Sequence, residues 1–326
     1  MGAASGRPHA DRSTPMPDCL SSELPLRLVG GLTTGSIYAL IALGYTLVYG
    51  VLQLINFAHS EVFMGGSLAG LLTLNALTHH GQSAGAIYFY LAIIPGMLAG
   101  GLVAVSLERF AYRPLRRRGA SRLTYLISAI GASLLLQNIV LLWRGNVPEN
   151  YPTTITAEPV FTLGTVEVFN RDIILFVAML IMMVGLDRFV RWSRTGKGIR
   201  AVAQDPETAG MMGVNIDRVI VITFLLGGLL AGGGGVLYGM YFGRTRFDIG
   251  FIPGIKAFTA AVLGGIGNIR GALVGGLTLG IIENVGSGCL GSQWKDVITF
   301  VVLVLVLMVR PTGLLGEGVG GGGAKA

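Results

Sequence analysis

The stretch Leu54 to Ser67, LINFAHSEVFMGGS, places an amide, an imidazole and a carboxylate (Asn56, His59 and Glu61) between two long apolar runs. Such groups are costly to bury, and ionisable residues at membrane depth face a bundle interior or a water-filled cavity. On a helix Asn56, His59, Ser60 and Phe63 share one face, while Glu61 points roughly 160° or more away from His59 or Phe63. Two readings follow. The polar groups line a water-filled path or a broken helix, or they form a short interfacial turn that caps a helix starting near Val62.

A second set stands near the C-terminus, where Lys256 and Glu283 flank an apolar block interrupted by Asn268 and Arg270. A helix N-terminus beside that interruption is suited to a substrate carboxylate; alternatively, Lys256 and Glu283 snorkel at opposite ends of one span. Arg270 is hard to place in hydrocarbon, so a bend or an interface is expected there. Asn56, His59, Glu61, Lys256, Asn268 and Glu283 are the candidate path residues. No catalytic set and no metal site is expected.

The third set is AVAQDPETAGMMGVNIDR, Ala201 to Arg218. Asp205 can cap a helix that starts at Pro206, with Glu207 in the favourable first turn and Gly213 closing it in a left-handed conformation. The result is a helix of about two turns whose Ala209, Met211 and Met212 offer small, adaptable apolar contacts. It fits the groove of a cytoplasmic partner, or lies on the membrane surface as an ordinary capped loop.

These residues must be positioned by a membrane-embedded scaffold. Of 326 residues 52% are hydrophobic and 13% charged, with a mean hydropathy of +0.67, whereas a soluble domain carries roughly 25% charged residues. Apolar blocks lie at 28–55, 61–78, 87–107, 123–143, 172–190, 219–242, 253–285 and 296–309. Their length suits helices rather than outer-membrane strands. The fold class is therefore all-α and polytopic, with about 8–10 transmembrane segments. Residues 1–27 read as a flexible extension, 28–315 as the membrane domain and 316–326 as a Gly-rich tail.

The net charge of +7 comes from short basic loops, so it reads as orientation and not as a nucleic-acid surface. Arg109 to Arg122 holds six arginines, and Asp187 to Arg200 holds five arginines or lysines; both belong in the cytoplasm. Arg144 to Arg171 has basic residues only at its two ends and belongs outside. Counting back from Arg109 through three spans puts residue 1 outside unless one of them is broken or re-entrant, which leaves the side of the N-terminus open. Cys19 and Cys289 have no CxxC spacing, so neither a disulfide framework nor a zinc site is indicated.

Glycine is frequent, at 51 residues, and Gly31/Gly35, Gly96/Gly100 and Gly271/Gly275 have the GxxxG spacing. About eight such pairs arise by chance at this glycine content, so the spacing indicates close helix packing and no particular motif. Gly30 to Gly50 and Gly227 to Gly243 echo one another weakly, which suggests two related halves around a central path. The only Gly-Lys, Gly196-Lys197, is followed by Gly198 and has Arg191 where a P-loop needs its first glycine. ATP hydrolysis by this chain is not expected.

From Gly30 through YALIALGYTLVYGVLQLINFAHSEVFMGG, in GKGIRAVAQDPETAGMMGVNIDRVIVITF, and in GFIPGIKAFTAAVLGGIGNIRGALVGGLTLGIIEN with KDVITFVVLVLVLMVRPTGLLG, the sequence closely resembles permease subunits of ABC importers for branched-chain amino acids. The resemblance covers residues 28–316 and involves separated motifs in the same order. It implies a multi-pass bacterial inner-membrane subunit with no cofactor of its own, moving leucine, isoleucine or valine by alternating access. It also implies a second related permease, two cytoplasmic ATPases that use ATP and Mg, an external binding protein, surrounding lipid, and no nucleic acid. Asp205, Pro206, Glu207, Ala209, Gly210, Met212, Gly213 and Asn215 then correspond to the ATPase-coupling segment. Ser60 departs from the glycine usual in this family. Related permeases serve urea, short amides or simple sugars; a self-sufficient secondary transporter using His59, Glu61 and Glu283 is the competing class.

Overall fold

The computed structural model describes residues 24–78, 86–152, 158–163 and 166–316. Residues 1–23 of the expected extension and 317–326 of the tail lie outside the described residues. Twelve α-helices are described: α1 (Leu24–Leu52), α2 (His59–Leu77), α3 (Ala86–Leu107), α4 (Arg113–Arg117), α5 (Arg122–Arg144), α6 (Asn170–Trp192), α7 (Arg194–Gln204), α8 (Pro206–Met211), α9 (Ile216–Phe242), α10 (Phe251–Gly264), α11 (Ile269–Leu290) and α12 (Lys295–Val309). Seven of the long helices are apolar enough to cross a membrane among the described residues. The short α10 and the polar-headed α2 are not among the seven. Four short strands pair as β1 (Glu149–Asn150) with β4 (Arg244–Thr245) and β2 (Pro159–Leu163) with β3 (Val166–Phe169), both antiparallel. They cover the end opposite the arginine-rich loops.

Glycine decides which helices meet. A Cβ on Gly35 would run into the backbone of Gly276 and Leu277, and one on Gly280 into Gly31 and Gly35, so α1 and α11 are in backbone contact. Gly96 and Gly100 of α3 face Gly232 of α9, and Gly271 and Gly275 of α11 face Gly264 of α10. All three glycine pairs therefore lie at helix crossings, where small residues let backbones approach. The weak sequence echo has a packing counterpart: α2 and α3 pack on α9, while α10 and α11 pack on α1. Each three-helix unit thus covers the leading helix of the other.

The apolar block 253–285 is not one span. Gly265 and Gly267 have φ values of +103° and +99°, a left-handed reversal that ends α10 and starts α11. Asn268 caps α11, its Oδ1 accepting from the Arg270 and Gly271 N–H groups at 3.0 and 3.3 Å. The bend expected at Arg270 is present, and it returns the chain so that α11 lies against α10. The reading in which Lys256 and Glu283 stand at opposite ends of a single span is corrected: the reversal brings them together.

The chain also breaks between α1 and α2, where Gln53 takes a positive φ of 54°. Directly after α3, a π-turn over Glu108–Tyr112 carries the buried Tyr112, whose hydroxyl donates to Asn56 Oδ1 at 2.6 Å. Asn56 therefore lies in the break itself, and the helix starts at His59, earlier than Val62. The C-terminal end of α1 shares a cavity wall with Asp187 and Arg191 of the second basic loop, so α1 begins on the opposite face. Cys289 is disulfide-bonded, which corrects the reading from spacing; Cys19 lies outside the described residues.

Candidate functional site

Two cavities open at opposite ends of α1. The outer one, about 570 Å³, is lined by Thr34 and Tyr38 of α1, by Arg244 and Arg246 beyond α9, and by Lys256 and Glu283. The inner one, about 960 Å³, reaches Thr46 and Val51 of α1, Asp187 and Arg191 of α6, and Asn268 and Arg270. Between them Ala39, Leu40, Ile41, Ala42 and Leu43 are fully buried. At 1.5 Å of rise per residue, Tyr38 and Thr46 are about 12 Å apart, and that length is closed by packed core.

The six candidate path residues divide accordingly. Lys256 Nζ lies 2.9 Å from Glu283 Oε1 and 2.8 Å from Asp296 Oδ1, and Glu283 also accepts from the Tyr38 hydroxyl at 3.3 Å and from Thr299 Oγ1 at 3.2 Å. Asn268 lines the inner cavity, but its carbonyl caps α11 and its amide donates to Leu315 O at 2.9 Å. Asn56, His59 and Glu61 line neither cavity. The His59 ring packs edge-on against Tyr45, with centroids 4.9 Å apart, between Gly44 and Gly227. Glu61, on the other side, accepts at Oε1 from Ser133 and Gln137 of α5 at 3.0 and 2.8 Å. Its buried carboxylate ties α5 to α2. Ser60 is also buried, its Oγ 2.8 Å from Phe57 O, against Gly250 and Gly254.

On the arginine-rich face, α8 forms as the local grammar requires. Asp205 Oδ1 accepts from the Glu207 and Thr208 N–H groups at 3.0 and 3.2 Å, and the Thr208 hydroxyl donates to Asp205 Oδ2. Gly213 has φ +84°, and Asn215 caps α9 by accepting from Arg218 N. Ala209 is buried against its own chain, so it offers nothing to a partner. The outward contacts are Met211 and Met212, 80% and 81% exposed. Below α8, Asp217 accepts from Arg113 and Arg116 at 2.9 and 2.7 Å, and Arg116 also reaches the buried Glu108 of the π-turn at 3.0 Å.

These hydrogen bonds from Thr208 hold the Asp205 carboxyl below the usual carboxylate range. A depressed native value means that the cap stabilises α8 above the unfolded value of about 3.9 and is lost as pH falls through the native one. Amide exchange at Glu207 and Thr208 is therefore expected to be flat, after correction for intrinsic rates, from pH 8 down to about 5, and to accelerate only below about pH 4. Loss of protection near pH 6 would show that Asp205 is not the cap.

Several site residues were not legible in the sequence. Tyr38 and Asp296 join the Lys256–Glu283 pair, and Tyr112, Ser133 and Gln137 hold the polar run. Tyr38 and Glu283 are 245 residues apart in sequence, and no local spacing reports such a contact.

The model of the family described as branched-chain amino acid transport system / permease component matches residues 27–307. The chain belongs to this family. The permease is 44% identical over 294 residues to the high-affinity branched-chain amino acid transport system permease protein BraD of Pseudomonas aeruginosa, covering 89% of this chain and 95% of that protein. It is 43% identical over 296 residues to the LivH permease protein of the corresponding system in Escherichia coli K12, with the same coverage. A more distant likeness, 26% over 171 residues, reaches the galactose/methyl galactoside import permease protein MglC of Haemophilus influenzae. No solved structure matches the permease. Its apolar helices and its family make it a multi-pass inner-membrane transport protein.

Proposed function

We propose that the chain is the membrane-spanning subunit of an ATP-binding-cassette importer for leucine, isoleucine and valine. It works beside a second permease, two cytoplasmic ATPases and an external binding protein. The observation that carries this reading is the pair of cavities at opposite ends of α1 with a closed core between them, in a chain similar to BraD and LivH. Alternating access requires that arrangement: a site reachable from one side at a time, with energy supplied by an element that senses the partner's state.

The coupling element in this reading is α8. Exposed Met211 and Met212 suit an adaptable apolar groove on an ATPase. Motion of α8 reaches the core through Asp217, Arg113 and Arg116 to the π-turn, and from Tyr112 to Asn56 at the break after α1. Glu61 and His59 line neither cavity, and this reading routes no proton through them.

The test is uptake of labelled leucine into proteoliposomes holding the four membrane-associated subunits, with binding protein outside and ATP inside. Uptake is expected to require both, and to fall more than tenfold in Met211→Asp with Met212→Asp while the permease still folds, since both side chains are exposed. Uptake indifferent to ATP but dependent on a proton gradient would overturn the proposal.

A further inference from the structure

We propose that the Lys256–Glu283 pair is the receptor for the zwitterion of the transported amino acid, Lys256 taking the α-carboxylate and Glu283 the α-ammonium. The inference rests on the importer reading and adds to it a site and a ligand chemistry. Both residues are largely buried, at 7% and 2% exposure, yet both line the outer cavity. Each therefore has a desolvated side and a side facing the cavity.

Stability does not explain such a pair. Two charges taken out of water lose hydration that their attraction barely returns, and apolar residues of similar volume often serve as well or better. What distinguishes this pair is that each ion has a second partner. When the Lys256–Glu283 contact opens, Lys256 keeps Asp296 at 2.8 Å, while Glu283 keeps the Tyr38 and Thr299 hydroxyls. Each ion keeps a hydrogen-bond partner on opening, and a ligand carrying one positive and one negative group restores the lost charge pairing, so it can insert between them with little change in net charge. A neutral sugar or amide has no such exchange to offer. Ile37 and Ile252 on the same cavity wall suit an aliphatic side chain.

The cavity volume of about 570 Å³ lies within the range of small-molecule sites. The site also spans four helices: Lys256 is on α10, Glu283 on α11, Asp296 on α12 and Tyr38 on α1. A zwitterion that replaces the direct contact changes how these four helices are held. Occupancy is thereby linked to the closed core of α1 that begins beside Tyr38.

The experiment uses the assembled importer in proteoliposomes with Thr34→Cys as a reporter at the cavity wall, labelled from outside with a membrane-impermeant maleimide and measured against the parent protein. Saturating leucine is expected to slow labelling at least tenfold. Isopentylamine, which lacks the carboxylate, and 4-methylpentanoate, which lacks the ammonium, are expected not to protect. Adding Lys256→Met with Glu283→Met should abolish leucine protection; if that variant does not assemble, Glu283→Gln, which keeps the hydroxyl contacts, should do the same. Equal protection by all three compounds, absence of protection in the Thr34→Cys parent, or protection that survives the loss of the charges overturns the proposal. Wild-type uptake on matched liposomes separates the two levels: ATP- and binding-protein-dependent uptake without leucine protection rejects the receptor alone, whereas ATP-indifferent uptake rejects the importer reading.

Discussion

In Gly232→Val, folded permease is expected to be lost. A Cβ at Gly232 would meet the backbone of Gly96 and Gly100, and Gly66 of α2 approaches the same residue from another side. Three helices therefore meet at Gly232, and a side chain there strikes the α3 backbone directly. Overpacking commonly costs 1–3 kcal/mol where side chains can yield; here the obstacles are main-chain atoms, and at least about 3 kcal/mol is expected. That is a large part of a native stability of roughly 5–15 kcal/mol. Gly185 of α6 is the matched control, because a Cβ there meets nothing within 4 Å. Size-exclusion profiles and thermal unfolding in detergent are expected to show aggregation for Gly232→Val and a near-native profile for Gly185→Val. Equal behaviour of the two would mean that glycine composition, not the crossing, sets the fold.

The second large effect is an asymmetry within one ion pair. Lys256→Met leaves Glu283 buried with only neutral donors, the Tyr38 and Thr299 hydroxyls, and a loss of about 3–5 kcal/mol is expected, as for other broken buried pairs. Glu283→Met leaves Lys256 with Asp296, whose side chain is 56% exposed, so the cation keeps a hydrated partner and the loss is smaller. The double Met variant removes both charges and is expected within about 1 kcal/mol of wild type. Thermal unfolding of the three variants gives the coupling directly. Additive losses in the double variant would show that the two residues do not act as a pair. This stability result and the loss of leucine protection are complementary, since a pair that is dispensable for folding but required for protection has been retained for its ligand.

The sequence was most legible where the signal is local. The cap of α8, its proline, its left-handed Gly213 and the cap of α9 lie within eleven residues of one another, and each follows from neighbours along the chain. The long helices α1, α3, α5, α6, α9 and α12 were legible because each is a single apolar run bounded by polar residues. The 253–285 block was legible only in part: Asn268 and Arg270 marked a bend, but that it is a full reversal rests on the positive φ of Gly265 and Gly267, which the apolar pattern does not report. Glu61 and His59 gave a clear signal of cost without a sign of purpose, and only the placement of α5 and Tyr45 shows what they touch. Lys256 and Glu283 were visible as charges but not as partners.

The exchange of partners between the two three-helix units also bears on how the chain is made. Gly31 and Gly35 on α1 fit against Gly276 and Gly280 on α11, which leave the ribosome about 250 residues later, roughly 12–50 s at ordinary rates of synthesis. During that interval the glycine face of α1 has no partner, although Thr33 gains the carboxylate of Asp172 once α6 is made. The first half must therefore wait in the bilayer as a loosely held intermediate, and a nascent chain arrested before α11 emerges is a natural substrate for membrane proteases.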